Sequence, residues 1–246
     1  MCEEERMKGK RFIAGALLLS FVFFTAWTSD AKPPDRSGKC QSKKVNAASI
    51  FVKKLFYAEA ALLKNANYNW DQALEEAEHE FIQRWNQAEG THQCDFPWGE
   101  EIDLGDGIRV SFSNIDALLG WIDDRISYIA DLILEEVNDE QIGSINLGSE
   151  ILKAAGRKAF ELLKAESQYL NKPNQGKRNR ARERAMRSFE DQYTKRVQHA
   201  LGSGVDVRGL DDDLDQDGKY DLLVAVETGI DKLVEDIVTI FTARGQ

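Results

Sequence analysis

The stretch VNAASIFVKKLFYAEAALLKNANYNWDQALEEAEHEFIQRWNQAEG, residues 45–90, decides the fold. From Val45 to Ala66 apolar residues return at helical intervals: Val45, Ala48, Phe51, Val52, Leu55, Phe56, Leu62 and Leu63. Steps of three and four place them on one stripe of an amphipathic helix. Asn65, Asn67 and Asn69 interrupt the pattern. Asn69 suits the N-cap of a second helix, because its side-chain oxygen can accept from an otherwise unpaired backbone N–H. That helix turns Ala73, Leu74, Ala77, Phe81, Trp85 and Ala88 inward and stops at Gly90. Two helices joined by so short a link run antiparallel.

The start of the first helix and the end of the second therefore meet at one end of the hairpin. Cys40 lies just before one and Cys94 just after the other, so a disulfide between them would staple the open end. Cys2 falls in the N-terminal leader, and the remaining even count fits an oxidising compartment. Two isolated cysteines lack the closely spaced pairs of a zinc site.

Downstream, Glu101–Leu104 and Ile108–Phe112 flank Gly105-Asp106-Gly107 and read as a small β-hairpin. A lone two-stranded hairpin is marginal in water, so it must lean on the helices. Ser113 and Asp116 resemble a capping box ahead of a third helix with Ile115, Leu118, Leu119, Ile122, Ile126, Ile129, Leu132, Ile133 and Val137 inward. Gly143 and Gly148 read as a link, and a fourth helix is expected from about Ser149 to Leu170. Lys172-Pro173-Asn174-Gln175-Gly176 breaks the pattern. A fifth helix carries Ala181, Ala185, Phe189, Tyr193 and Val197, and a sixth runs from about Tyr220 to Ala243. The expected fold is all-α: about six helices, an N-terminal disulfide-stapled helical hairpin and one small β-hairpin.

Ahead of these elements, Met7, Lys8, Lys10 and Arg11 precede the apolar run Phe12–Trp27, and Ser29-Asp30-Ala31 supplies small residues before Lys32. This is the layout of a secretory signal peptide over residues 1–31, followed by a linker at 32–41 and an exported helical domain at 42–246. The 16-residue run is shorter than the roughly 20 residues of a membrane-spanning helix. An uncleaved anchor is the alternative, and only that alternative makes the membrane a partner. Glu3, Glu4 and Glu5 are unusual in such a leader, which leaves Met1 and Met7 as alternative starts. Either reading puts the domain outside the cytoplasm, secreted or periplasmic.

The chain carries a net charge of −10, which argues against nucleic acid as its main partner. Charge is nevertheless sorted along it. Lys172 to Arg196 holds nine basic and three acidic residues, and Asp206 to Asp236 eleven acidic and three basic. Arg178, Arg180, Arg182, Arg184 and Arg187 make a broad candidate docking surface for an anionic partner, such as an acidic protein, a phospholipid surface or a polyanion. The plainer alternative is that such charges pair with neighbours or form solvated helix faces.

Asp213-Leu214-Asp215-Gln216-Asp217-Gly218-Lys219-Tyr220-Asp221 is the sharpest chemical signal. Calcium takes six to eight oxygens, and alternate aspartates on a turning loop can point three carboxylates inward. Gly218 permits the bend, the Lys219 carbonyl can add a ligand, and Asp221 can bind directly or through water. The nine residues resemble the calcium loops of EF-hands, dockerins and integrin-type repeats. That resemblance implies Ca2+ held by Asp213, Asp215, Asp217, Lys219 and Asp221. Where an EF-hand has a bidentate Glu at position 12, this chain has Val224, and Glu227 comes one helical turn late. The departure implies a static structural site with Kd of about 10⁻⁴ to 10⁻³ M, not a sensor.

Glu76 with His79 supplies only half of a di-iron pattern and is expected on the solvent side. The sequence therefore supports a non-enzymatic binding or structural protein with one calcium site, working with protein partners in a larger assembly. The alternative is a helical hydrolase or lyase whose site assembles only in three dimensions.

Overall fold

The first two helices cover the stretches where their apolar periodicity places them. A computed structural model describes residues 35–92, 94, 96–137, 141–205 and 220–243. Helix α1 (Asp35–Lys64) and helix α2 (Trp70–His92) make the expected antiparallel hairpin. Asn69 caps α2 by accepting from the Gln72 backbone N–H at 3.2 Å. Val45, Ala48, Phe51, Val52, Leu55 and Phe56 of α1 are all buried, as are Ala77, Phe81, Trp85 and Ala88 of α2.

Cys40 and Cys94 are joined by a disulfide, with Cα atoms 6.1 Å apart and 54 residues of separation. Cys40 is wholly buried, and such a bond points to an oxidising, extracytoplasmic environment. None of the described helices is long and apolar enough to cross a membrane. The first helix starts earlier than its apolar stripe suggests. Residues 35–41, read from sequence as linker, are helical, and Cys40 lies inside α1 instead of ahead of it. Tertiary contacts hold the end of this extension: Cys40 is bonded to Cys94, and Gln41 Nε2 donates to the Thr242 carbonyl at 3.5 Å, while next to it the Ser42 and Ser167 hydroxyls meet at 3.1 Å.

Strands β1 (Ile102–Gly105) and β2 (Ile108–Val110) pair antiparallel, Ile102 with Val110 and Asp103 with Arg109. Asp106 turns the chain with φ of 52°, a left-handed conformation that aspartate tolerates better than most residues. The hairpin leans on helix α6 (Asp221–Thr242): Ile102 and Leu104 are buried, and Lys232 Nζ donates to the Leu104 carbonyl at 3.2 Å.

Helix α3 (Ile115–Leu134) is capped by Asn114, which accepts from the Ala117 N–H at 2.9 Å, and not by Ser113. Helix α4 (Ile142–Asn171) contains Gly143 and Gly148, which the sequence suggested were a link. Packing explains both. A Cβ on Gly148 would lie 2.5 Å from Val137, and one on Gly143 2.7 Å from Val205, so glycine here serves close approach rather than a turn. Helix α5 (Gln175–Gly202) is capped by Asn174 through the Lys177 N–H at 2.9 Å. The long helices α1 and α4 pack along each other at the centre. Beside them α2 rests on α1 and α5 on α4, while α6 bridges α4, α3 and α1.

Opening the disulfide releases the loop between Cys40 and Cys94 in the unfolded chain. By loop-closure entropy this should cost on the order of 4 kcal/mol. Urea unfolding of the oxidised protein against a Cys40→Ser/Cys94→Ser variant measures it, and a difference near zero would contradict the stapling role.

Candidate functional site

Asp213, Asp215, Asp217 and Lys219 lie outside the described residues. Asp221 is the first residue of α6 and is exposed in its opening turn, where a negative charge favours the positive end of the helix dipole. Val224, at the twelfth loop position, is 37% exposed. Glu227 turns inward, with Oε1 3.0 Å from Lys158 Nζ. Its carboxylate is engaged with Lys158 of α4. Among the described residues no group of three or more histidine, cysteine, aspartate or glutamate side chains is arranged to hold a metal.

The five candidate arginines fall into two sets. Glu166 of α4 is buried, and Arg178 and Arg182 of α5 converge on it: Arg178 Nε is 2.8 Å from Oε2 and Arg182 Nη1 2.6 Å from Oε1. Arg178 also lies over the Tyr169 ring at 4.8 Å. These two are structural, because a buried carboxylate must be matched by charge and hydrogen bonds. Arg180, Arg184 and Arg187 are exposed, as is Lys177. Steps of three, four and three keep those four on the side of α5 opposite its buried stripe of Ala185, Phe189, Tyr193 and Val197. Arg184 Nε donates to the Arg180 carbonyl at 3.2 Å, which lays the guanidinium along the helix.

Apolar periodicity passes over five buried charges, Glu227 among them, although each sits on an apolar stripe. Lys44 lies four residues from both Cys40 and Ala48. Its Nζ is 2.8 Å from Glu89 Oε1, donates to the Cys94 carbonyl at 3.3 Å and stands 4.0 Å over the Trp85 ring. Lys158, four residues from Ala154 and Leu162, meets Glu227 and also Asp231 at 3.3 Å. Glu166 lies four residues from Leu162. Asp236 of α6 is buried near Lys232 at 3.1 Å and Arg125 at 3.9 Å. Burial pushes its carboxyl above the ordinary aspartate range, against the pull of those two cations. A charge inside an apolar stripe is the sequence signal that marks all five.

Acidic groups gather on α2 and α3. Asp71, Glu75 and Glu78 follow one another at steps of four and three along α2, and Asp116 and Asp123 lie seven apart on α3. Glu78 is pushed up by burial and then by the charges of Asp116, Asp123 and Glu75. Asp123 is pushed up by burial and by Asp124, and its Oδ1 is shielded from water without a hydrogen-bond partner. Glu76 and His79 face solvent, as expected.

An open cleft of about 540 Å³ lies beside the β-hairpin, lined by Glu100, Glu101, Asp103 and Arg109 among others. Arg109 pairs with Glu101 at 3.2 Å, and Asp103 accepts from the Gly105 N–H at 2.8 Å, so these groups brace the hairpin. Comparison with family models, curated proteins and solved structures returns no match.

Truncating Glu166 would strand two guanidinium groups at the α4–α5 contact. Glu166→Ala should cost about 3 kcal/mol in denaturant unfolding. Arg184→Ala, on the solvent side, should stay within about 0.5 kcal/mol. Equal effects of the two substitutions would overturn the division of the arginines.

Proposed function

We propose that the protein is an exported, non-enzymatic binding or structural module of the periplasm or extracellular space. It works within a larger assembly, docks through the cations of α5 and is stabilised by one calcium ion bound at residues 213–221. The observation that carries this reading is the division of charge on α5. Arg178 and Arg182 are consumed by Glu166, whereas Lys177, Arg180, Arg184 and Arg187 point outward as a row. A row of exposed guanidinium groups recognises carboxylate, phosphate or sulfate, because each fork presents several N–H donors to paired oxygens. The buried cations Lys44 and Lys158 are matched by Glu89 and by Glu227, which fits a structural use of interior charge rather than a catalytic one.

The docking face is tested on heparin-coated beads, used as a generic polyanion. Retention is expected at about 50 mM NaCl and release by about 0.5 M, since contact electrostatics shrink with the Debye length. The variant Arg180→Glu/Arg184→Glu/Arg187→Glu should lose retention at least tenfold. Wild-type retention by that variant would sink the docking face.

The calcium site supports the same role by fixing the entry to α6. Six aspartates (Asp206, Asp211, Asp212, Asp213, Asp215 and Asp217) stand within twelve residues there, and a divalent ion offsets their repulsion. With Kd of about 10⁻⁴ to 10⁻³ M, calcium at about 10 mM should stabilise the fold by about 1.4–2.7 kcal/mol. Titration calorimetry with Asp215→Ala and Asp217→Ala as controls measures the binding. Absence of calcium heat in the wild type, or undiminished wild-type heat in both variants, would end the claim.

A further inference from the structure

The row on α5 extends from Lys177 to Arg187, about 15 Å at the rise of an α-helix. The acidic stripes run Asp71–Glu78 on α2 and Asp116–Asp123 on α3, about 10 Å each, and Asp131 prolongs the second. Between Asp116 and Asp123 lies Gly120, above which a Cβ would meet nothing, so the α3 face is open there. The two helices are strongly acidic: α2 carries six acidic side chains against Arg84, and α3 four against Arg125. Glu78 and Asp123 sit in a field of like charge, which a cationic occupant would relieve.

These two faces do not neutralise each other within one copy. α5 packs on α4 and α2 on α1, and among the described residues no ion pair joins the row on α5 to the acidic side chains of α2 or α3. We propose that the anionic partner of the α5 row is the acidic α2–α3 face of a second copy of this chain, so that copies associate head to tail. This deepens the reading of α5 as a docking face and rests on it. Such a contact joins unlike patches, so it propagates into a chain of copies or closes into a ring, instead of stopping at a symmetric pair. The net charge of −10 does not forbid it. At physiological ionic strength the Debye length is about 8 Å, so the touching patches dominate over distant charge.

The test is sedimentation velocity of the mature protein at about 20 mM and about 0.5 M NaCl, with charge-reversed variants. At low salt the wild type should show a weight-average mass at least twice its high-salt value. Arg180→Glu/Arg184→Glu/Arg187→Glu and Glu75→Lys/Glu78→Lys/Asp116→Lys should each sediment as a monomer alone. An equimolar mixture should form pairs, because each variant keeps the face that the other has lost. If the lysine variant loses helicity by circular dichroism, Glu75→Gln/Glu78→Gln/Asp116→Asn takes its place and should lower the low-salt mass. A wild type that stays monomeric at low salt, or a mixture no heavier than its parts, overturns the head-to-tail contact. If heparin retention still depends on the α5 row in that case, the docking face stands and only its occupant is wrong. If the α5 variant keeps both retention and self-association, both readings fall.

Discussion

The close contact of α1 with α4 is the constraint on which the remaining structure depends. A Cβ on Gly156 would stand 2.7 Å from Phe56 Cβ, and Ala155 and Ala159 line the same buried side of α4. The Ser149 hydroxyl donates to the Ala60 carbonyl at 2.9 Å across this contact, and Ser42 and Ser167 repeat the device nearer the disulfide. Small residues let two backbones approach closely enough for such bonds to form. Glycine in a helix interior costs roughly 1 kcal/mol relative to alanine, and here tertiary packing outweighs it. With α1 and α4 fixed, α2 and α5 can occupy only the two flanks, and their outer faces become the surface of the protein.

Interior charges set the register of that arrangement. Lys158 ties α4 to Glu227 and Asp231 of α6, Glu166 ties α4 to two arginines of α5, and Lys44 ties α1 to Glu89 at the disulfide end. A buried ion pair contributes little net stability, because desolvation cancels much of the attraction, but stranding one partner costs several kcal/mol. Sliding α5 by one helical turn would carry one of the two arginines into the place of the other and leave Glu166 with a single guanidinium group. The pairs therefore select among packings that apolar burial alone would rank closely.

Much of this was legible from the residues, and the failures share one cause. The α1–α2 hairpin, the pairing of Cys40 with Cys94, the cap at Asn69 and the β-hairpin all follow from local pattern, because periodicity and cap chemistry act over a few residues. The early start of α1 and the inclusion of Gly143 and Gly148 in α4 do not, because both depend on what lies across the interface. Asn114 in place of Ser113 is a one-residue error of the kind that helix ends invite. Among the candidate site residues, the arginines could be found in the sequence but not divided, since the partner of Arg178 and Arg182 lies on another helix. For the aspartate loop the chemistry remains legible in the residues themselves, while Glu227, the nearest later carboxylate, is taken up by Lys158.

Charge in this protein acts by face and not by total. Counted along the chain, residues 172–196 look like one basic block, yet the fold withdraws Arg178 and Arg182 into Glu166 and pairs Arg196 with Glu150 at 2.9 Å. What remains outside is a narrow row on one side of one helix. Likewise the acidity of α2 is not uniform: Glu80 is held by Lys54 and Arg84, which keep its carboxyl below the ordinary range, whereas Glu78, a half-turn away, is pushed above it. A helix that spends its charge on one side and leaves it uncompensated on the other presents a directional surface. Two such surfaces of opposite sign on different helices give the molecule a polarity that its net charge conceals, and unlike patches are what a head-to-tail contact requires.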